Sequence, residues 1–205
     1  MPAHDRAGVI APAPRHASGP YRICLVCLGN ICRSPMAEVI LRAEFDRAGL
    51  SGRVEVDSAG TGDWHVGGRM DRGARAELSR RGYDGSGHRA RQFERSWFRR
   101  YDLVLAMDDS NLARLRRLAP DREAAERTAM LRSFDPALAG RDGAGGGGDG
   151  AGGGDGADLD VPDPYGGGSE EFALVFDLIL PAARGLAEQV RQVLADRSAA
   201  PGSAD

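Results

Sequence analysis

The stretch Cys27-Leu28-Gly29-Asn30-Ile31-Cys32-Arg33-Ser34-Pro35 decides the reading of this 205-residue chain. It follows the apolar run Tyr21-Arg22-Ile23-Cys24-Leu25-Val26. It precedes a helical spacing of apolar residues at Met36, Ala37, Val39, Ile40, Leu41 and Phe45. A cysteine therefore stands where a buried strand ends, and an arginine where a helix begins. The short loop between them is able to wrap backbone N–H groups around an anion. The helix amino end brings its positive dipole to the same place. The segment reads as a phosphate cradle with a nucleophile at its floor.

Working outward, residues 22–26 read as a buried strand and 33–48 as a helix. Pro35 is tolerated in the first turn, and Gly49 is a stop signal. Alternation over 54–58 predicts a second strand, followed by a glycine-rich loop over 59–68 that carries Trp64 and His65. A helix is expected over 71–81, a third strand over 101–107, and a helix over 110–118 that ends before Pro120. Residues 128–131 suit a short fourth strand. Residues 170–195 form a long amphipathic helical pattern that Pro181 breaks or kinks. Strands alternating with helices imply a parallel sheet covered on both faces. The expected class is α/β: a flavodoxin-like, doubly wound, four-stranded parallel sheet. The Cys27 loop then lies at the carboxyl end of the first strand, where such sheets bind ligands.

The domain is expected over 21–196. Residues 1–20 are rich in Ala, Pro, His and Gly and read as a disordered leader. They lack the apolar core of a signal peptide. Residues 197–205 read as a disordered tail. Residues 141–156 are almost entirely Gly, Ala and Asp and read as a flexible insertion. Its Gly-Asp pieces are too few and too irregular for a calcium-binding repeat. The formal net charge of −3 argues for no polyanionic partner. Every basic side chain except histidine is arginine, so a single arginine carries less functional weight than usual. No apolar stretch is long enough to span a bilayer. The three cysteines, Cys24, Cys27 and Cys32, are clustered and odd in number, which is no disulfide framework. They fit a reducing compartment. A cytoplasmic monomer that binds neither nucleic acid nor membrane is expected.

A free thiol titrates near about 8.5 and is a poor nucleophile at neutral pH. Converging N–H donors, a helix amino end and a guanidinium favour the thiolate, and Cys27 is placed to have all three. Arg33 closes a loop of five intervening residues, and its planar fork suits two phosphoryl oxygens. Gly29 lets backbone approach the anion, and Ser34 is placed to donate to the thiolate. Phosphoryl transfer to sulfur also needs a proton donor for the leaving oxygen. Asp163, stiffened by the prolines of Val161-Pro162-Asp163-Pro164-Tyr165, is the best candidate. Taken alone, an Asp-Pro turn is the commoner reading of that segment. Asp57, Asp63, Asp108 and Asp135 remain alternatives.

Together these residues resemble the low-molecular-weight protein tyrosine phosphatase family. The likeness runs through 27–38, Asp57-Ser58-Ala59-Gly60-Thr61, Trp64-His65-Val66-Gly67, Asp71-Arg72, His88-Arg89-Ala90, Met107-Asp108 and Asp163-Pro164-Tyr165. It covers roughly 21–195, and bacterial, actinobacterial-type members are the most similar. The resemblance implies hydrolysis of protein phosphotyrosine through a phosphocysteine. Cys27 would attack phosphorus, and Arg33 would clamp the phosphoryl oxygens. Asp163 would protonate the leaving phenol and then activate water. Leu28, Gly29, Asn30, Ile31, Cys32 and Ser34 would form the phosphate loop. Asn30 would hold its strained shape, supported by Ser58 and His88. Leu28, Trp64 and Tyr165 would line the walls gripping an aromatic ring. Neither a metal nor another cofactor is implied, and tyrosine-phosphorylated proteins would be the partners. Many members carry a second aromatic residue after the tyrosine, where this chain has Gly166. The family and the spacing also suggest a protective disulfide between Cys27 and Cys32 under oxidation.

Three rivals carry their own signatures. An arsenate reductase on the same fold needs cysteines downstream of Cys32, and the chain has none. The protein-arginine phosphatase branch carries Thr where this chain has Ile31. A non-catalytic phosphotyrosine-binding module would be expected to lack Cys27 or Asp163.

Overall fold

The structure is a computed structural model in which residues 9–138 and 159–199 are described. Strand β1 (Tyr21–Cys27) leads through the Cys27 loop into helix α1 (Arg33–Arg47), and strand β2 (Val54–Gly60) follows. Helix α2 (Arg72–Arg80) and a short 3-10 helix (Arg95–Arg99) precede strand β3 (Leu103–Ala106). Helices α3 (Asp109–Leu118) and α4 (Arg122–Glu126) lead to strand β4 (Thr128–Met130). Two short 3-10 helices follow, Leu131–Phe134 and Pro136–Leu138, and α5 (Ser169–Ala199) closes the described chain. The sheet order is β2-β1-β3-β4 with every pair parallel, which is the expected doubly wound α/β arrangement.

The alternation along β1 sorts its side chains between two cores. Ile23, Leu25 and Cys27 pack with Met36, Ile40 and Leu41 of α1 and with Phe176, Ile179 and Leu186 of α5. Cys24 and Val26 pack on the opposite face with Phe93, Phe98, Tyr101, Leu115 and Met130. A strand buried on both faces reads as one continuous apolar run, which is why 21–26 carries so little polar character. Each fully buried Leu, Ile or Phe contributes about 1.5–3 kcal/mol of transfer free energy. The central strand, and the loop that leaves it, are therefore among the most firmly anchored parts of the molecule.

The structure corrects two expectations and narrows a third, the break or kink at Pro181. Residues 9–20 are not a disordered leader but lie along the body. Ala11 is buried and its N–H donates to Gln189 Oε1 at 2.9 Å. Tyr21 Oη donates to the carbonyl of Pro12 at 2.9 Å. The N–H groups of Arg15 and Arg22 both donate to buried Asp102, at 2.6 and 2.7 Å. Composition missed this because the segment is held mainly by hydrogen bonds at the amino ends of β1 and β3 and on α5, with Ala11 alone joining the core. The expected tail begins too early, since 197–199 belong to α5. Pro181 does not break α5, which runs through it. The missing N–H costs one helical hydrogen bond, but Ile179, Ala182 and Ala183 beside it are fully buried and hold the helix in place. The glycine-rich segment 141–156 lies outside the described residues.

Candidate active site

Strand β1 delivers Cys27 to the carboxyl edge of the sheet, and the chain turns at once into α1. The turn needs Asn30 in the left-handed region, at φ +56°, the one positive φ outside glycine among the described residues. Asn tolerates that region better than most side chains. Here its side chain is also fully engaged. Nδ2 donates to Ser34 Oγ at 2.9 Å and to Ser58 Oγ at 2.8 Å, while Oδ1 accepts from the N–H of Arg91 at 2.8 Å. His88 Nε2 meets the carbonyl of Asn30 at 2.8 Å. A carbonyl only accepts, so this ring nitrogen carries the proton. Asn30, Ser58 and His88 thus meet in one hydrogen-bonded group.

Cys27 Sγ lies 3.1 Å from Ser34 Oγ and accepts from the N–H of Asn30 at 3.2 Å. Helix α1 starts beside it with no side-chain cap and no acidic residue in its first turn, whereas Asp71, Asp108 and Asp121 cap α2, α3 and α4. The amino end of α1 therefore keeps its donors for an anion. The other two cysteines are disfavoured as thiolates. Burial, helped by the carboxylate of Asp71 and the neighbouring Cys27, pushes the Cys32 thiol well above the usual range. Burial does the same to Cys24. All three are free thiols.

The Arg33 guanidinium is nearly enclosed. It donates through Nη1 to Asp108 Oδ2 at 2.5 Å and to the carbonyl of Val161 at 3.2 Å, and through Nη2 to Asp163 Oδ2 at 2.9 Å. Its Nε has no hydrogen-bond partner among the described residues. A buried donor left unpaired is costly, so the loop holds capacity for one more acceptor. Of the five carboxylates weighed from sequence, Asp163 and Asp108 reach Arg33. Asp57 is instead bound to Tyr101, Arg91 and Arg100. Asp63 is exposed, and Asp135 accepts from the N–H of Ala137.

The walls rise on two loops. The N–H groups of Thr61 and Gly62 donate to the carbonyls of Cys27 and Leu28, at 2.8 and 2.9 Å. The ring of Trp64 folds back over Gly62, where a Cβ would come within 1.8 Å of it. His65 packs on Gly29, where a Cβ would lie 2.9 Å from its Cδ2. Opposite, Tyr165 faces His65 with ring centroids 6.3 Å apart. Leu28, Trp64 and Tyr165 are all exposed. Gly166, which follows Tyr165, has φ +80°, a conformation that strains any larger residue.

Sequence reasoning gave no role to Glu38 or His65, although both stand in segments that carry the family likeness. Glu38 is buried and accepts from Ser58 Oγ at 2.5 Å, 4.0 Å from His88 Nδ1. Its signal was present, since Glu38 follows Ser34 by one helical turn and so shares its face. His65 had no comparable signal, because its packing on Gly29 depends on the path of the 61–68 loop.

A parallel α/β sheet whose first strand ends in a cysteine loop closed by an arginine defines an oxyanion-binding site with a thiol at its floor. The family model for low molecular weight phosphotyrosine protein phosphatase matches residues 22–144. The chain is 48% identical over 179 residues to a low molecular weight protein-tyrosine-phosphatase of Streptomyces coelicolor, covering 87% of this chain and 99% of that one. It is 40% identical over 178 residues to low molecular weight protein-tyrosine phosphatase A of Mycobacterium tuberculosis, covering 87% and 96%. A crystal structure of a protein tyrosine phosphatase from Entamoeba histolytica superposes with a TM-score of 0.72 at 28% identity, covering 84% of this chain and 97% of that one. The chain belongs to the low molecular weight phosphotyrosine protein phosphatase family. No helix among the described residues is long and apolar enough to cross a membrane.

Proposed function

We propose that this chain hydrolyses phosphotyrosine on proteins by way of a phosphocysteine, with Cys27 as nucleophile, Arg33 as clamp and Asp163 as acid and base. The observation that carries this reading is the placement of Cys27 Sγ between Ser34 Oγ and the Asn30 N–H, with Asp163 bridged to the same loop through Arg33. In the first step the sulfur attacks phosphorus, and an S–P bond forms as the P–O bond to the phenol breaks. The proton on Asp163 passes to the departing phenolate oxygen. In the second step water attacks phosphorus and gives its proton to the Asp163 carboxylate. The S–P bond breaks, releasing inorganic phosphate and the Cys27 thiolate, to which the Ser34 hydroxyl donates. Arg33 turns its fork from the carboxylates to the phosphoryl oxygens, where its charge stabilises the transition state.

Cys27 is buried at the floor of the cleft, so a long phosphotyrosine reaches it and a short phosphoserine does not. The exposed Trp64 and Tyr165 support an aromatic ring as the group being gripped. The three free thiols fit a reducing cytoplasm, and a monomer suffices because every named group comes from one chain. The deciding experiment is phosphate release from a phosphotyrosine peptide without added metal, in wild type and Cys27→Ser. Release that disappears in the variant supports the reading. A folded wild type without activity, or one that turns over phosphoserine peptide equally well, overturns it.

A further inference from the structure

Asp163 meets Arg33 Nη2 through one carboxylate oxygen, and to act as an acid it must be held within hydrogen-bond reach of the leaving oxygen, about 2.6–3.2 Å. The fixed points lie just before it. Val161 is fully buried, and its N–H donates to the carbonyl of Met107 at 2.7 Å. Asp160 is held from two sides. Its carboxylate accepts from the N–H of Asp109, the first residue of α3, at 2.9 Å, and its carbonyl accepts from Arg132 Nη1 at 2.8 Å. Pro162, with φ fixed by its ring, passes this anchorage on to Asp163.

Arg132 is itself rooted in rigid structure. It stands on the short helix Leu131–Phe134, whose Leu131 and Phe134 are buried. That helix docks so closely on α5 that a Cβ at Gly185 would lie 2.0 Å from the carbonyl oxygen of Phe134. A continuous path therefore runs from the core helix α5, through 131–134 and the Arg132 guanidinium, to the backbone three residues before the acid.

We propose that Arg132 is a positioning residue for Asp163: its hydrogen bond to the Asp160 carbonyl fixes the acid loop over the Cys27 loop. This rests on the reading of Asp163 as general acid. Arg132 does not touch the phosphoryl group and acts only through the loop.

The test uses the full chain and a series of aryl phosphates with phenols of graded acidity. With p-nitrophenyl phosphate the leaving group departs without help, whereas phenyl phosphate needs the proton. In Arg132→Gln the ratio of kcat/KM for p-nitrophenyl phosphate to that for phenyl phosphate should rise about five-fold or more. Arg132→Lys, which keeps one donor for the Asp160 carbonyl, should restore most of it. In an Asp163→Asn background, Arg132→Gln should change phenyl phosphate turnover less than about two-fold. Equal losses on both substrates, or full additivity with Asp163→Asn, would overturn the proposal. If Arg132→Gln does not fold, Arg132→Met, which keeps the length of the side chain but has no donor for the Asp160 carbonyl, is measured in its place, and an unchanged substrate ratio there overturns the proposal likewise. If Asp163→Asn alone leaves the ratio unchanged, the assignment of the acid fails first and separately.

Discussion

Asn30 Nδ2 donates to Ser34 Oγ at 2.9 Å, and that same oxygen lies 3.1 Å from Cys27 Sγ. The residue that bends the loop thus also orients the hydroxyl beside the sulfur. Replacing it with alanine removes two donors and one acceptor and leaves a β-carbon in the left-handed region. Asn30→Ala is expected to lower stability by about 2–4 kcal/mol and kcat by roughly a hundred-fold. Asn30→Gly separates the two effects, since it accepts the backbone conformation but still strands Ser34 and Ser58. Denaturant melts should recover part of the stability in the glycine variant while turnover stays low. Wild-type turnover in Asn30→Gly would show that the side-chain network is dispensable.

His88 gives the fold a pH dependence of known sign. Burial lowers its proton affinity below the ordinary value of 6.5, against the opposing pull of its bond to Asn30 and the charge of Glu38; Arg91 and Arg89 add to the lowering. A histidine lowered in the folded state binds its proton more readily when the chain unfolds. Its contribution to stability is complete above 6.5 and is lost as pH falls through the folded-state value. Urea melts from about pH 7 to pH 5 should therefore show wild type losing stability more steeply than His88→Gln. Parallel curves for the two proteins would remove His88 from the account.

Residues 9–20 should matter for stability and not for chemistry. Arg15 donates its N–H to buried Asp102, its Nε to the carbonyl of Tyr101 at 3.0 Å, and its Nη1 to Glu123 at 2.7 Å. Deleting residues 1–15 leaves Asp102 with the Arg22 N–H but without that of Arg15. The expected cost is about 2 kcal/mol, or a fall in Tm of roughly 4–8 °C, with kcat/KM unchanged. Arg15→Ala keeps the backbone donor and should cost less. An unchanged Tm after deletion would mean that these contacts contribute nothing net.

The sheet and the phosphate loop were legible because each rests on local pattern. The continuous apolar run of β1 and the Cys27-to-Arg33 spacing are both contained within fifteen consecutive residues. Contacts that join distant segments left no such trace. Nothing near Ala11 in sequence announces Gln189, and nothing near Gly29 announces His65. Asp163 stood out in the sequence with Asp108 as one alternative, but nothing local to either announces that Arg33 binds both. The helical pattern across Pro181 was legible, but which of a break or a kink applied was not, because that α5 runs on unbroken depends on the buried residues flanking the proline.

Gly60 offers a test of how closely the loop must be held. A Cβ there would lie 2.8 Å from the carbonyl oxygen of Leu28 and 3.1 Å from the nitrogen of Asn30. Both are backbone atoms that cannot rotate away. Gly60 cannot retreat either, since its N–H donates to the carbonyl of Arg91 and its own carbonyl accepts from Phe93, each at 2.8 Å. Gly60→Ala must therefore push the Cys27 loop outward. Overpacking of this kind costs about 1–3 kcal/mol, but a shift of several tenths of an ångström at the loop should weigh more on chemistry. Turnover is expected to fall by roughly a hundred-fold, and inorganic phosphate should become a weaker competitive inhibitor, because the same amides hold substrate and product. Gly87→Ala is the control, since no atom lies within 4 Å of a Cβ at that position. Unchanged phosphate inhibition in Gly60→Ala would mean that the loop tolerates displacement, and that its shape is not what holds the anion.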